Sequence, residues 1–421
     1  MGRALSIIVV DEAAEAGAEA LAGLSSMGFA VRRATLSGLS DELARERPDA
    51  VVAFTEVEGG VGVTPHLAVG VRDPAAGAFL KTPAHAIQIA ARVRALVRLS
   101  VLEDMARLRA ADAREAGAAP GPAQTGPEGS TVLFVGAPCP AFMRLQHALA
   151  GSQVDTVAAF STFTAFDYLH ERAFDAVVLN TEPNPDLAHT VCSAMRRNTR
   201  LYHTPAILLT RGEGYAQADE AFARGASDVL SGDADETEMR ERITALGMER
   251  RRRRRAKAML EACRAASLLD DRSDLYAAAF GARHCDSLLL DRRRTGRRLT
   301  LVGLSAEAPA EAGPERTSDA LHQFAAMLRH CVRAEDLAVR RTPSEFYLAL
   351  PNTPAEEASL VAERICAIAE CTAYEGADPA RPFRLSLSSH VIEPDREASA
   401  EDAIEAALAP TRVRGPFAAY A

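Results

Sequence analysis

Residues 329–351 read RHCVRAEDLAVRRTPSEFYLALP, and the apolar run at 346–350 has the composition of a buried strand. Around it lie two more predicted strands and two predicted helices, at 299–304, 383–388, 318–332 and 354–370. Strands interspersed with helices in this order predict an α+β domain. We place this domain, with a connecting helix, at residues 251–421.

The connecting helix is predicted from about residue 235 through six consecutive arginines, Arg250 to Arg255, toward Leu269. Six consecutive residues point to every face of a helix, so they do not form one stripe that matches a nucleic-acid groove. We therefore interpret the arginine run as a solvated part of a rigid connector, and we expect no nucleic-acid partner.

Upstream, apolar strands alternate twice with helical stretches, which predicts two α/β domains with doubly wound parallel sheets. The second of these, at 131–250, has five predicted strands, at 131–136, 156–160, 176–180, 206–210 and 228–230. A linker at 111–130, rich in Gly and Pro from residue 117, precedes it. The first domain, 1–110, has predicted strands at 5–10, 29–33 and 50–54, with helices at 13–27 and 86–116.

The charge balance excludes several classes of protein. With 48 Lys and Arg against 57 Asp and Glu, the net charge is −9, which argues against general affinity for nucleic acid or membranes. No run of 18 apolar residues would span a bilayer, and the N-terminal apolar stretch is too short for a signal peptide, so we expect a cytoplasmic protein. The seven cysteines lack zinc-site spacing and are expected to be free thiols, with no metal or cofactor.

Both α/β domains resemble the response-regulator receiver family, with its CheY-like, flavodoxin-like fold. The resemblance rests on FLKTPAHAIQIAARVRALVRL at 79–99 and, in the second domain, on TVLFVG, FDAVVLN, TPAILLT and ARGASDVL. Phosphoryl transfer to a receiver needs an acidic pair for Mg²⁺, a nucleophilic aspartate and a lysine. In the second domain these positions hold other residues, namely Gly136, Ala137, Asn180 and Gly232. We expect no phosphorylation there.

The first domain keeps part of the receiver pattern. Asp11, Glu12 and Lys81 are present, but Phe54 stands at the nucleophile position, beside Thr55 and Glu56. The stretch from Phe54 to Lys81 is also shorter than two helices and a strand require. We interpret the domain as a truncated or degenerate receiver and expect no phosphorylation.

The stretch 329–351 resembles the signature hairpin of the GGDEF diguanylate cyclases, with Ser344, Glu345 and Phe346 in place of Asp/Glu-Glu-Phe. Glycines at the hairpin tip would let the backbone approach a triphosphate, but Thr342 and Pro343 stand there. In the resemblance, the metal-binding carboxylates fall on Gly303 and Ser305. We therefore expect neither metal binding nor catalysis.

The family's allosteric product site is an Arg-x-x-Asp upstream of the signature, here Arg333 and Asp336, with Arg364 as its third residue. The tetrapeptide alone says little, since it also begins at Arg109, Arg172, Arg283 and Arg316. Only the copy at 333 has the required offset from the signature. Arginine can donate a fork to guanine, stack on it or pair with phosphate, and Asp336 can accept from guanine N–H groups. The resemblance therefore implies cyclic di-GMP as ligand. An exposed Arg333–Asp336 salt bridge is the alternative.

The order receiver, receiver, degenerate GGDEF resembles the PleD-like family. It implies a cyclic di-GMP effector that recruits protein partners for cell-cycle control at a cell pole and for proteolysis by ClpXP; a homodimer is compatible with this. Two alternatives stay open. One is a scaffold that binds no nucleotide, and the other is a weak diguanylate cyclase.

Overall fold

The computed structural model describes residues 4–12, 16–57, 61–62, 64–73, 75–82, 84–118, 121, 130–182, 184–212, 215–216, 218–376 and 381–409. Contacts divide the chain into two units. One contains Ala4–Ser100 and Thr125–Arg255, and the other contains Val101–Gln124 and Ala256–Ala421. The domain boundaries predicted at 110, 130 and 250 stay predictions, and most of the linker 117–130 lies outside the described residues.

The first sheet is parallel, with the strand order β2-β1-β3-β4-β5. Its elements are β1 (Ser6–Val10), α1 (Ala16–Ser26), β2 (Ala30–Ala34), α2 (Leu39–Arg45), β3 (Ala50–Ala53), β4 (His66–Val69), β5 (Ala78–Leu80) and α3 (Ala86–Glu115). This is the flavodoxin-like order, so the predicted doubly wound fold is confirmed. The described residues between β3 and β5 contain β4 but no helix, which accounts for the short stretch from Phe54 to Lys81.

The second sheet repeats this topology, in the order β10-β9-β8-β6-β7, and is also parallel. Its elements are β6 (Ser130–Val135), α4 (Pro140–Leu149), β7 (Val154–Ala159), α5 (Thr162–Glu171), β8 (Ala176–Asn180), α6 (Pro185–Arg197), β9 (Ala206–Thr210), α7 (Ala218–Ala223), β10 (Asp228–Ser231) and α8 (Glu236–Ala262). The five predicted strands are confirmed. The connecting helix ends at Ala262 and not near Leu269, because a separate 3₁₀ turn forms at Ala266–Leu268.

The third sheet is mixed, in the order β11-β13-β14-β12-β15, and only β11 pairs in parallel with its neighbour. Its elements are β11 (Tyr276–Ala277), α9 (Ala278–Thr295), β12 (Leu299–Glu307), α10 (Pro314–Cys331), β13 (Leu337–Arg340), β14 (Glu345–Pro351), α11 (Ala355–Cys371), β15 (Ser386–Ile392) and α12 (Ala400–Leu408). The predicted α+β class is confirmed. The strand predicted at 383–388 was placed too early, because Phe383 pairs instead with Tyr374 in an isolated bridge.

Two strands and two helices of the third sheet matter most for the site. Strands β13 and β14 form an antiparallel hairpin, while α10 leads into β13 and α11 follows β14. Phe324 of α10 packs edge-on against Phe346 of β14, and both side chains are fully buried. No helix in the described part of the chain is long and apolar enough to cross a membrane.

Candidate functional site

The turn between α10 and β13 carries two of the three predicted ligand-binding residues. The backbone amide of Asp336 donates to the carbonyl of Arg333 over 3.2 Å, and the amide of Arg333 donates to Oδ2 of Asp336 over 2.8 Å. The turn is thus closed by a backbone bond and a side-chain bond together. Arg333 is exposed, whereas Asp336 is buried.

Arg364 reaches the same turn from α11. Its Nη2 donates over 2.7 Å to the carbonyl of Cys331, which lies two residues before Arg333. Arg364 is also exposed. The structure therefore brings Arg333, Asp336 and Arg364 together at one end of the third sheet.

The Asp336 carboxyl group has an unusual environment. Burial is the main cause that raises its pKa to about 7; Glu335 raises it further, while the Arg333 amide and the charges of Arg333 and Arg109 lower it. Oδ1 is buried and has no hydrogen-bond partner among the described residues. In this conformation Asp336 orders the turn. Oδ2 accepts one bond, from the Arg333 amide, and Oδ1 is buried, so the expected contact of Asp336 with guanine N–H groups stays a prediction.

Arg109 of α3 holds the other side of this turn. The sequence analysis named it only as the start of a recurring tetrapeptide. Its Nη1 donates to the carbonyl of Ala334 over 3.1 Å, and its Nη2 donates to the carbonyls of Glu335 and Asp336 over 2.7 and 3.1 Å. Arg109 is among the largest fully buried side chains in the described chain. Three successive carbonyls of the turn are therefore bound by one guanidinium.

A buried chain of polar groups fixes Arg109. Its Nε donates to Nε2 of His284 over 3.3 Å, and Nδ1 of His284 lies 2.5 Å from Oδ2 of Asp112. Burial lowers the pKa of His284 to about 4, so the ring is neutral, with its proton on Nδ1 toward the carboxylate. Ser287 donates to the other oxygen of Asp112 over 2.9 Å.

Arg109 and Asp112 are themselves one of the discounted Arg-x-x-Asp copies. Residues three apart lie on the same face of a helix, and their neighbours Ala106, Ala110 and Ala113 on α3 are buried. A charged pair on an otherwise apolar helix face is the signal that could have identified them, because a buried charge requires partners.

The tip of the hairpin between β13 and β14 is closed by its own side chains. The backbone amide of Glu345 donates to Oγ1 of Thr342 over 3.1 Å, so its N–H is already used within the tip. The carbonyl of Pro343 accepts from Nη2 of Arg340 over 3.0 Å, and Nη1 of Arg340 lies 3.2 Å from Oδ2 of Asp270. The tip thus has a fixed, internally bonded shape.

The register of β12 places Gly303 and Ser305 relative to the hairpin tip. Ser305 pairs with Glu345 next to the tip, whereas Gly303 pairs with Tyr347, farther from it. A Cβ on Gly303 would lie 2.0 Å from the carbonyl oxygen of Ala407, because α12 packs directly on this strand. Ser305 is therefore the strand residue nearer the hairpin tip, and the alignment of Gly303 and Ser305 with metal-binding carboxylates stays a prediction. In the described residues no group of three or more His, Cys, Asp or Glu is arranged to hold a metal ion.

Residues 310–409 match the family model described as "Diguanylate cyclase, GGDEF domain". The C-terminal domain is similar to GGDEF domains. No curated protein matches the sequence.

Solved structures are similar to separate parts of the chain. The GGDEF domain of DgcB from Caulobacter crescentus, in complex with c-di-GMP, is 15% identical, covers 34% of this chain and 85% of its own, and has a TM-score of 0.30. The FimX GGDEF domain from Pseudomonas aeruginosa is 20% identical, with 33% and 87% covered and a TM-score of 0.29. The chemotaxis response regulator CheY4 of Vibrio cholerae is 18% identical, with 28% and 98% covered and a TM-score of 0.26.

Asn180, which the resemblance aligns with the phosphoacceptor of a receiver, is packed against Gly136 in the second receiver-like domain. A Cβ on Gly136 would lie 2.6 Å from the Cβ of Asn180, so the two residues fill each other's space. Asn180 accepts from the amide of Glu182 and donates to its carbonyl, which makes it a turn residue. Gly232 is also enclosed, since its Cβ would lie 3.0 Å from the carbonyl oxygen of Thr210.

The acidic residues of the first receiver-like domain bind local backbone groups. Oδ2 of Asp11 accepts from the amide of Gly17 over 2.8 Å, and Oε1 of Glu12 accepts from the amide of Leu36 over 2.7 Å. Nζ of Lys81 donates to Oε2 of Glu238 on α8 over 3.0 Å. This lysine therefore neutralises a carboxylate of the second domain. The prediction that neither domain is phosphorylated stays a prediction.

The raised pKa of Asp336 predicts a pH-dependent stability. Between about pH 4 and pH 7 the folded chain holds a proton here that the unfolded chain has lost, so this contribution to the free energy of unfolding falls as the pH rises. Asp336→Asn keeps an oxygen for the Arg333 amide but cannot ionise. We expect the variant to exceed the wild type in stability at about pH 8, by as much as about 4 kcal/mol, and to match it at about pH 4.

Urea unfolding of the intact chain at several pH values measures this difference. Asp319→Asn is the matched control, because Asp319 ends the Arg316 copy of the tetrapeptide and is exposed. Equal pH profiles for wild type and Asp336→Asn would contradict the assignment of a raised pKa to Asp336.

Proposed function

We propose that this protein is a catalytically inactive effector that binds cyclic di-GMP through Arg333, Asp336 and Arg364, with Asp336 also ordering the turn. The observation that carries the proposal is that two exposed guanidinium groups, those of Arg333 and Arg364, lie beside a turn whose backbone is held by the buried Asp336. A preorganised site loses less entropy when it binds a ligand.

Arg333 and Arg364 both have guanidinium N–H groups that are available to a ligand. The Arg333 side chain makes no hydrogen bond to another described residue, since only its backbone takes part in the turn. Arg364 uses one Nη group on the Cys331 carbonyl, which holds the side chain beside the turn. Guanine presents O6 and N7 as paired acceptors, and the phosphates of the ligand are anionic. The planar donor fork of arginine matches both groups.

The hairpin supports the absence of catalysis. Thr342 and Pro343 occupy its tip, and the neighbouring Ser305 and Ser344 supply hydroxyl groups where a metal needs carboxylates. The backbone groups at the tip are bonded to Thr342 and Arg340 side chains and are not arranged as a phosphate cradle. Glu345 alone would be a weak metal ligand.

The cellular role is a proposal from resemblance. The domain order and the altered signature resemble the PleD-like family and, within it, the alphaproteobacterial effector PopA. On that basis we propose a cytoplasmic protein that, with ligand bound, is placed at a cell pole and helps deliver a cell-cycle regulator to the ClpXP protease. The domain order of the described sheets and the site at Arg333 support this proposal.

Binding is tested by calorimetric titration of cyclic di-GMP into the intact protein. Arg333→Ala and Arg364→Ala each remove one donor fork, so we expect each to weaken binding by roughly tenfold or more. Arg316→Ala is the matched control, because Arg316 begins the same tetrapeptide on α10 and should leave the affinity unchanged. A folded wild type that binds no cyclic di-GMP would favour the nucleotide-independent scaffold.

Catalysis is tested by incubating the wild type with GTP and Mg²⁺ and separating the nucleotides by chromatography. We expect no cyclic di-GMP, because the metal carboxylates and the tip glycines are absent. Formation of product that disappears in Glu345→Gln would establish the weak-cyclase alternative. A variant with Thr342→Gly and Pro343→Gly controls for the tip alone, and it too should form no product.

Arg109 should determine ligand affinity without contacting the ligand. Arg109→Lys keeps the charge but places one compact donor group where three carbonyls are bound, so we expect weaker cyclic di-GMP binding, by roughly tenfold, in a folded protein. Amide hydrogen exchange should show faster exchange at Arg333–Asp336 in this variant. Arg114→Lys on the same helix is the control. Unchanged affinity in Arg109→Lys would limit Arg109 to a structural role.

A further inference from the structure

The unit that contains Ala4–Ser100 and Thr125–Arg255 has a solvent-open cavity of about 300 Å³, which lies apart from the motifs described above. One wall is the first half of α3, and the opposite wall is α8. The floor is formed by the loop before β9, at 202–205, and the loop before β10, at 225–227. The cavity therefore lies at the amino ends of β9 and β10, away from the edge where a receiver carries its phosphoacceptor.

Positive charge dominates the lining. Its guanidinium groups come from three different helices and belong to Arg92, Arg94, Arg98, Arg196, Arg250 and Arg253. The one acidic residue in the lining, Glu249, already accepts two hydrogen bonds from Arg92, one of 3.3 Å. The remaining arginines thus give the cavity a net positive charge.

Arg196 is a fixed part of the floor. It donates to the carbonyls of Gly225, Tyr202 and Thr204 over 2.7 to 2.9 Å. These bonds hold the guanidinium without neutralising it, because carbonyl groups carry no net charge. Ordering a cation in this way costs no reorganisation when an anion enters.

Arg250 and Arg94 have unused hydrogen-bonding capacity. Nε of Arg250 is buried without a hydrogen-bond partner, which is costly for a charged donor. Burial and the neighbouring Arg254, Arg253 and Arg196 lower the pKa of Arg250 to about 10, although Asp175 opposes them. The Arg94 guanidinium stacks on Phe29, 4.6 Å from the ring centroid, and the N–H groups of a guanidinium lie in its plane, away from a stacked face.

We propose that this cavity binds a small ligand through a phosphate or diphosphate group. An anion of this kind accepts several guanidinium forks at once and removes the repulsion between the arginines. The volume lies at the lower end of the range for small-molecule sites. Apolar side chains, among them Ala91, Ala95 and Leu99, complete the wall beside the arginines. Because α3 and α8 both contribute arginines, the ligand would connect the two receiver-like domains.

The test is a calorimetric titration of the intact protein at constant ionic strength with inorganic pyrophosphate, inorganic phosphate and guanosine diphosphate. We expect saturable binding of at least one of them, and roughly tenfold weaker binding in Arg94→Ala and in Arg250→Met. Arg255→Ala removes an exposed arginine of the same run that does not line the cavity, and it should bind as the wild type does.

The three probes distinguish the sources of the anion. Tight binding of pyrophosphate alone indicates an inorganic or diphosphate ligand, and preference for guanosine diphosphate indicates a nucleotide. If Arg250→Met does not fold, as judged by circular dichroism, Arg98→Ala replaces it, because Arg98 is exposed on α3. Absence of binding by all three probes, or equal weakening in Arg255→Ala, would overturn the proposal.

Discussion

The contact on which the C-terminal domain most depends is the one between the Arg109 guanidinium and three successive carbonyls at Ala334, Glu335 and Asp336. A buried cation is unfavourable unless its donors are bound, and this one donates to the three carbonyls and to His284. The neutral imidazole of His284 lies between Arg109 and the Asp112 carboxylate. The negative charge that balances Arg109 is therefore one side chain away from it. The backbone of the turn can change only if this entire set of bonds rearranges, and removal of one partner would leave the others buried and unsatisfied.

The turn at Arg333 and the hairpin tip of the C-terminal domain are held in different ways. Both are adjacent to β13, yet they differ in what holds them. The turn is held by two buried side chains, Asp336 and Arg109. The tip is closed by bonds within the hairpin, from Arg340 to the Pro343 carbonyl and from the Glu345 amide to the Thr342 hydroxyl. The β13–β14 pairing continues to Arg340 and Phe346 with Thr342 and Pro343 at the tip, so the fold of the hairpin does not require glycines there.

Much of the architecture could be predicted from the sequence, because parallel strands such as β8 and β9 are buried on both faces and appear as unbroken apolar runs. The register in which β12 pairs with β14 could not be predicted from the sequence. Gly303 and Ser305 are two residues apart and share a face of the strand, so an apolar pattern of period two fits either alignment. Position 303 is distinguished only by α12, which comes from far along the chain. Arg109 was missed for a similar reason: its partners lie more than 170 residues away, and the tetrapeptide that contains it recurs by chance.

The buried group of Arg109, Asp112 and His284 also shows how residues of α3 belong to the same unit as the C-terminal sheet. Leu102 and Ala106 pack against Ala256 and Leu260, so residues 101–115 supply both apolar and polar parts of its interior. The domain is discontinuous in sequence, and a fragment that begins at residue 251 would expose the carbonyls of the turn to water and leave His284 without its carboxylate. Ligand affinities measured on such a fragment would describe a different molecule from the intact chain.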